Sequence, residues 1–369
     1  MGVALESSVM FAFEHAGSVG RTDETSLEQL LPGIDSGGKS DLGGKLSIPA
    51  PEEIAHAFGL GAADGQLVHV RRGDSDAWRL RTSSGSYFVK GYLQDLGEQQ
   101  TVAMAFERRA LAAGVDMPSP ITPVEPALGW AIRLADRWFR TYRWIEHDPS
   151  HAALDLSPWL GRTMLRVHQV EPIGQLGLPE WWRAAVPPAE VWKGWLATAR
   201  ERDVAWAGLL KDRLPAILAV GDRIAEVSEI APDVVRTHGD FKDHNIVRST
   251  SGPVLVDWDS VRTDSAALEA GRAAYLFGGG ETLQVRRILA AYVAAGGELG
   301  WAGADLFLGV ARHHVQVLGE QIRVSLGESA PARWMGDRAT IETFISARLS
   351  DLPGTIDRLR YMAREPSSE

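Results

Sequence analysis

The sequence predicts an α+β protein with a small, β-rich lobe followed by a larger, mostly helical lobe. Three short β-rich runs lie between residues 65 and 90 and are separated by turn-forming segments. A helix is predicted at 97–113, and helical periodicity dominates from residue 151 onward. Because the strands and one helix precede the other helices, the chain favours an α+β plan with two lobes.

The composition narrows the possible functions. The chain has 369 residues, of which 45% are hydrophobic and 23% are charged, as in an ordinary globular protein. Its 38 Lys and Arg against 48 Asp and Glu give a net charge of −10, which argues against a nucleic-acid partner and suits a neutral or cationic substrate. The absence of cysteine excludes disulfides, thiolate zinc sites and a cysteine nucleophile.

The N-terminal segment carries no targeting signal. Residues 1–20 lack a basic region, and no run of about 18 apolar residues occurs anywhere in the chain. We therefore expect a cytoplasmic protein without a membrane partner. Residues 1–46 are rich in Gly, Ser, Asp and Thr, which predicts a poorly ordered or accessory extension.

The small lobe is predicted to span 47–146. It begins with a helix-start pattern at 47–60, where Ser and Pro precede two glutamates. Turn compositions between the first three β-rich runs favour an antiparallel meander, and two aromatic runs add further strands. The strands are predicted at 65–70, 77–81, 86–90, 130–133 and 138–142.

The large lobe is predicted to span 147–369, after a boundary where HDPSH interrupts both patterns. Apolar residues recur there at helical spacing, except in one strand–loop–strand region at 234–262. The helices are predicted at 158–170, 189–205, 208–229, 265–277, 281–295, 304–326 and 335–362.

The chemistry concentrates in the strand–loop–strand region, which reads HGDFKDHN and then VDWD. Asp240 at the loop tip is placed to accept a proton from a hydroxyl group. Asn245 and Asp257 supply hard oxygen ligands of the kind that Mg²⁺ takes when it also keeps phosphate oxygens. Phosphoryl transfer needs this combination of positioning, cations and one proton acceptor.

This stretch resembles the signature of the aminoglycoside phosphotransferase and choline-kinase group. Members of that group are small-molecule kinases with a bilobal protein-kinase-like fold, in which protein kinases have HRD-x4-N and DFG. The resemblance implies that ATP or GTP and Mg²⁺ are the cofactors and that Asp240 is catalytic. Lys242 occupies the position of the HRDLK lysine of protein kinases, where a lysine could stabilise the transferred γ-phosphate.

The resemblance extends upstream to the nucleotide-binding elements. Lys90 ends the third strand, where the lysine for the α- and β-phosphates belongs, and Glu107 in ExxxLxxGVxxPxP matches its pairing glutamate, although Glu98 competes for that role. The segment 142–146 resembles the hinge that binds the base, and from it we select Tyr142, Trp144 and Ile145.

The predicted phosphate turn departs from the protein-kinase pattern. It reads Gly73 to Ala77 and has one glycine, so GxGxxG is absent, and we choose Ser75 as its contact with the phosphates. The role of Asp259 stays open between a metal contact and a structural partner for loop amides.

Several side chains have a structural and a functional interpretation. Trp192, Trp195 and Trp206 lie at helical spacing, which favours the core over stacking on a sugar. His313 and His314 either line an acceptor pocket or lie on a solvated helix face.

The sequence thus predicts a phosphotransferase that acts on a hydroxyl group of a small molecule. An aminoglycoside-like or other amine-bearing antibiotic fits the family and the net charge of −10, which would make the protein an antibiotic-resistance enzyme. A sugar or amino-sugar kinase is the first alternative, and a kinase-like module without turnover is the second.

The absence of GxSxG, HExxH and a Walker A loop argues against a serine hydrolase, a zinc enzyme and a P-loop kinase. The oligomeric state stays open.

Overall fold

The structure is a computed structural model that describes residues 48–364, apart from 73–74, 93, 149, 151–153, 175 and 333–334. The predicted extension at 1–46 therefore lies outside the described residues.

An antiparallel sheet forms the first part of the chain, with strand order β1-β2-β3-β6-β4 and with β5 paired to β6. The meander predicted from the first three β-rich runs is confirmed, because β1 pairs with β2 and β2 with β3 in antiparallel register. Two helices, α1 (Pro51–Ala57) and α2 (Glu98–Ala112), accompany the sheet. The strands are β1 Val68–Arg72, β2 Ser75–Thr82, β3 Gly85–Tyr92, β4 Pro120–Ile121, β5 Ile132–Leu134 and β6 Arg137–Arg143.

The sheet has its own small apolar core. Trp78 and Leu80 of β2 and Val89 of β3 are buried on one face, as the two-residue period of a half-buried strand requires. Ile54 and Phe58, from α1 and its end, pack into the same cluster. This contact explains why the helix-start pattern before the meander belongs to the sheet part.

Helices make up most of the remaining chain and share a second, larger core. Trp192, Trp195 and Trp206 are buried in that core, so the prediction that they are core residues is confirmed. The helices are α3 Ser157–Val170, α4 Glu180–Ala184, α5 Ala189–Glu201, α6 Ala207–Ile230, α7 Ala266–Phe277, α8 Thr282–Ala294, α9 Leu308–Ser325 and α10 Arg338–Ala363.

Four short strands interrupt the helices and confirm the predicted strand–loop–strand region. They form two antiparallel pairs, β7 with β10 and β8 with β9. Their bounds are β7 Val234–Thr237, β8 Ile246–Ser249, β9 Gly252–Leu255 and β10 Arg262–Ser265.

The sequence did not predict β4 or α4, which have two and five residues and are too short to show a period. It also placed the start of β2 too late, because the strand already begins at Ser75. In the described part of the chain, no helix has the length and apolar character needed to cross a membrane.

Candidate active site

The loop between β7 and β8 is held by a buried histidine. His238 donates from Nε2 to the carbonyl of Val256 at 3.0 Å and accepts at Nδ1 from the backbone N–H of Asp240 at 3.2 Å. Burial lowers the pKa of His238, although Asp240 opposes this effect. The ring is therefore neutral and shapes the loop.

Glycine is required between that histidine and Asp240. Gly239 has φ of +80°, and a Cβ atom there would lie 2.1 Å from the carbonyl oxygen of Ser260. No other residue fits this combination of a left-handed backbone and a close approach. The HGD sequence therefore follows from the geometry of the loop.

Asp240, Lys242 and Asn245 meet at the loop tip. Asp240 Oδ2 accepts from Lys242 Nζ at 2.7 Å and from Asn245 Nδ2 at 2.8 Å. The same Nδ2 donates to the Asp240 carbonyl at 2.9 Å, so Asn245 is locked in orientation. Its Oδ1 atom is buried and has no hydrogen-bond partner among the described residues. The carboxylate and the amide oxygen are thus both held in place.

The β8–β9 hairpin brings Asp257 to the same edge. Val256 donates its N–H to the carbonyl of Asn245 at 2.9 Å, so Asp257 is the next residue after this contact. Asp257 has φ of +67°, one of three such values among non-glycine residues in the described chain. Such a backbone is strained for aspartate, and strain of this kind is concentrated at functional sites.

The residues at this edge fit a magnesium ion that also binds a nucleotide. The free Oδ1 of Asn245 and the carboxylate of Asp257 are two hard oxygen donors, and Mg²⁺ commonly takes one or two protein ligands together with waters and phosphates. Within the described residues, no group of three His, Cys, Asp or Glu side chains could hold a metal ion. The donor set therefore fits a nucleotide-bound ion better than a metal held by protein alone.

Lys90 reaches this edge from the sheet. Its Nζ atom lies 2.7 Å from Asp257 Oδ1 and 2.7 Å from Asp259 Oδ2, and its side chain is 11% exposed. Burial lowers the pKa of Lys90, but Asp259 and Asp257 together outweigh burial and raise it above its ordinary value. The predicted convergence of a distant ammonium group with the hairpin aspartates is therefore present.

The predicted ion pair between Lys90 and Glu107 is wrong. Glu107 instead accepts from Arg140, a residue that the sequence reasoning missed. Lys90 and Arg140 are directly opposite each other in β3 and β6, so both cations emerge on one face of the sheet. Arg140 Nη2 forms the ion pair with Glu107, and Arg140 Nη1 lies 3.1 Å from Oδ1 of Asp259.

A sequence signal for Arg140 exists. It lies in the strand RWFRTYR, where the two-residue period turns it to the same face as Tyr142. An arginine on the covered face of a strand needs a carboxylate partner.

The first residue of the predicted hinge segment lies within a strand. Tyr142 belongs to β6, and its hydroxyl donates to Glu107 at 2.9 Å, so it faces the interior. Trp144 follows the strand, and its backbone N–H donates to the Ser86 carbonyl at 3.0 Å. The indole ring of Trp144 lies under the guanidinium of Arg79.

The other two predicted nucleotide contacts lie at the edges of these elements. Ile145 follows Trp144 and is half-buried. Ser75 is the first residue of β2 and pairs with Tyr92 of β3, whereas Gly73 and Asp74 lie outside the described residues.

The fold and the site together define a protein-kinase-like phosphotransferase. The model of the phosphotransferase enzyme family matches residues 69–307, well over half of the chain. The chain therefore belongs to this family. No curated protein matches the chain.

Solved structures agree with this assignment of the fold. A spectinomycin phosphotransferase in complex with ADP and spectinomycin has a TM-score of 0.56 at 14% identity, covering 84% of this chain and 99% of its own. An amicoumacin kinase with AMP-PNP and Ca²⁺ has a TM-score of 0.59 at 11% identity, covering 82% and 92%. A choline/ethanolamine kinase family protein from Mesorhizobium loti has a TM-score of 0.52 at 16% identity, covering 85% and 97%.

Proposed function

We propose that the protein transfers the γ-phosphate of ATP or GTP to a hydroxyl group of a small molecule. The observation that carries this proposal is the convergence of Asp240, Asn245 and Asp257 from one loop and hairpin with Lys90 from the sheet. Proton acceptor, metal ligands and phosphate cation are the parts that phosphoryl transfer requires.

Asp240 would orient the acceptor hydroxyl and take up its proton. Lys242 contacts the same carboxylate oxygen as Asn245, which leaves Asp240 Oδ1 for the acceptor. The ammonium group of Lys242 would stabilise the negative charge that shifts during transfer. Lys90 would bind the α- and β-phosphates, and Ser75 would add a contact at the edge of the turn.

Asn245 and Asp257 would hold Mg²⁺, which would neutralise charge on the β- and γ-phosphates. Glu107 and Tyr142 are buried behind Arg140, so they would position the cleft without touching the nucleotide. Trp144 and Ile145 would meet the base. In this arrangement residues 47–146 form the nucleotide-binding lobe, and 147–369 the lobe that carries the loop and the acceptor.

The acceptor proposed from the sequence is an amine-bearing antibiotic. Two of the structural neighbours support it, since one is a spectinomycin phosphotransferase and the other an amicoumacin kinase. The sugar alternative loses one argument, because Trp192, Trp195 and Trp206 are buried in the core and cannot stack on a sugar. An acceptor panel should therefore contain both classes.

The replacement Asp240→Asn tests the proposal. We expect kcat for the best acceptor to fall about 10²–10⁴-fold, because the variant lacks the proton acceptor. Asp243→Asn is the matched control, since Asp243 is exposed on the same loop and pairs with Arg248. Full turnover in Asp240→Asn would refute the mechanism. Binding of Mg·ATP by the wild type without transfer to any acceptor would favour a module without turnover.

A further inference from the structure

Three arginines lie beside the catalytic loop, and we call them the arginine cluster: Arg262 on β10, Arg272 on α7 and Arg312 on α9. Arg272 donates from Nη1 to the carbonyl of Gly239 at 3.4 Å, one residue before Asp240. A Cβ atom on Gly239 would lie 3.1 Å from Cγ of Arg262. The cluster therefore adjoins Asp240 through Arg272 and Arg262, from the helical part of the chain, whereas Lys90 reaches the site from the sheet.

Within the part of the chain that the structure describes, Arg312 is buried without a hydrogen-bonded anion. It is 2% exposed, and its Nε atom has no hydrogen-bond partner. Its guanidinium carbon lies 4.7 Å from the ring centroids of both Trp181 and Trp182. Two aromatic faces offset only part of the cost of burying a cation, which is several kcal/mol. The positive charge of Arg312 is therefore only partly compensated by the aromatic rings.

Trp181 connects Arg312 to a second arginine of the cluster. The guanidinium of Arg262 also lies 4.7 Å from the centroid of Trp181. Arg262, Arg272 and Trp181 are half-buried, so a small ligand could contact their side chains without unfolding the helices. The two tryptophans would then form the apolar wall of a site whose polar groups are guanidinium donors.

Two neighbouring carboxylates, Asp264 and Glu269, offset part of the positive charge of the cluster. Asp264 Oδ2 lies 3.4 Å from Nε of Arg262, and its Oδ1 accepts from Trp182 Nε1 at 2.8 Å. Glu269 accepts from His168 and from the hydroxyl of Thr237. Three guanidinium groups therefore share two carboxylates, which leaves a formal excess of one positive charge.

The electrostatics agree with an excess of positive charge. Burial lowers the pKa of Arg312 to about 9, and Arg262 and Arg272 contribute to this shift, whereas Asp264 opposes it. Burial and then the nearby Arg272 and Arg312 also lower the pKa of His313. The cluster therefore disfavours a further cation and favours an anion.

We propose that Arg262, Arg272 and Arg312 bind an anionic group of the acceptor, so that the substrate is a hydroxylated small molecule carrying a carboxylate or a phosphate. Guanidinium groups suit both anions, because their planar donors match carboxylate and phosphate oxygens. This inference rests on the proposed phosphotransferase function and specifies its acceptor. It opposes a polycationic acceptor with an amine at this position.

Anion binding tests the proposal without a known acceptor. The full-length protein is saturated with Mg·AMP-PNP, which occupies the γ-phosphate position, and is titrated with malonate or sulfate at constant ionic strength in a calorimeter. We expect at least one of these anions to bind to the wild type. We expect Arg272→Gln to weaken this binding about 10–100-fold, since the variant lacks a charged hydrogen-bond donor. Tighter binding of malonate would indicate a carboxylate, and tighter binding of sulfate a phosphate.

Arg323→Gln is the matched control, because Arg323 is exposed near the end of the same helix that carries Arg312. This variant should bind the anions as the wild type does. Arg262→Gln provides a second variant if circular dichroism shows that Arg272→Gln is unfolded. Absence of anion binding to the wild type, or equal affinity in all folded variants, would overturn the proposal.

A turnover assay with matched acceptors gives an independent readout. Glucose, glucosamine, glucuronate and glucose 6-phosphate share the pyranose ring and differ in the charge of one substituent. We expect at least about a 10-fold higher kcat/KM for an anionic member than for glucosamine, and we expect Arg272→Gln to remove this preference. Preference for glucosamine in both proteins would overturn the proposal. Anion binding that depends on Arg272, without transfer to any acceptor, would support the anion site and count against the phosphotransferase function.

Discussion

At the scale of single residues, the active-site edge is built from charges that alternate along a line. Lys90 contacts Asp259, Asp259 contacts Arg140, and Arg140 contacts Glu107 in the interior. Burial raises the pKa of Glu107, whereas Arg140 and Tyr142 act in the opposite direction. Each charge is thus tolerated because its neighbour is present.

The Arg140→Ala replacement tests this dependence. It leaves Glu107 fully buried and without its cation, so we expect the free energy of unfolding to fall by about 3–5 kcal/mol. Chemical denaturation followed by circular dichroism measures this loss. Arg338→Ala is the control, because Arg338 forms an exposed pair with Glu342 whose contribution is about 0.5 kcal/mol or less. Equal losses in the two variants would show that Glu107 does not depend on Arg140.

At the scale of secondary structure, one glycine fixes the packing of α3 against α8. A Cβ atom on Gly161 would lie 2.4 Å from the backbone carbonyl carbon of Ala291. The two helices therefore approach each other through their backbones, and α3 leads from the sheet part into the helical core.

We expect Gly161→Ala to lower the free energy of unfolding by about 1–3 kcal/mol, because the added methyl group forces the helices apart. Gly194→Ala in α5 is the matched control, since nothing lies within 4 Å of its added Cβ. It should stabilise the protein by roughly 0.5–1 kcal/mol through helix propensity. Urea denaturation of both variants measures the effects, and a stabilised Gly161→Ala would contradict the packing model.

The same scale shows why some elements followed from the sequence and others did not. The long helices, such as α6 and α10, and the first three strands carry clear periods, and the structure confirms them. Strand β4 has two residues and depends on pairing with β6, so no local pattern marks it.

The site shows the same division. The loop tip was predictable because Asp240 and Asn245 are close in sequence and share one turn. Spacing within Glu107's own helix could not reveal its partner, because the partner comes from another element. Arg140 lies 33 residues away and meets Glu107 through the register of β6 with β3. The arginine cluster, drawn from β10, α7 and α9, left no sequence pattern at all.

At the scale of the whole molecule, the net charge differs in sign from the charges that lie beside Gly239. The chain has a net charge of −10, yet the side chains next to Gly239 are arginines. Net charge governs solubility and long-range attraction, whereas recognition depends on charges within a few ångströms of the ligand.

Stability should fall when the pH is lowered from 7 to 5. Burial lowers the pKa of His238, His313 and His314, in the last case to about 4 with Arg348 adding to the effect. Between the two pKa values of each histidine, the unfolded chain binds more protons than the folded one. The stability that each neutral histidine contributes is therefore complete above the unfolded pKa of about 6.5, and it is lost as the pH falls toward the folded pKa. Glu107 and Asp264, whose pKa values are raised, offset part of this change.

His314→Gln isolates one contribution. The variant should reduce the loss of unfolding free energy between pH 7 and pH 5 by roughly 2 kcal/mol, because one buried group no longer needs to stay neutral. Urea denaturation at the two pH values measures the difference. His56→Gln is the control, since His56 is exposed on α1 and should leave the loss unchanged. An unaltered pH dependence in His314→Gln would contradict the assignment.

The buried ion pair between Arg140 and Glu107 also has a consequence for the evolution of the family. A mutation that removes the guanidinium leaves a buried carboxylate without its partner, and a mutation that removes the carboxylate leaves a buried guanidinium without its partner. Lineages that lose one partner should therefore lose or replace the other soon afterwards. Among homologues, we expect positions 107 and 140 to change together, as a pair inherited as a single unit.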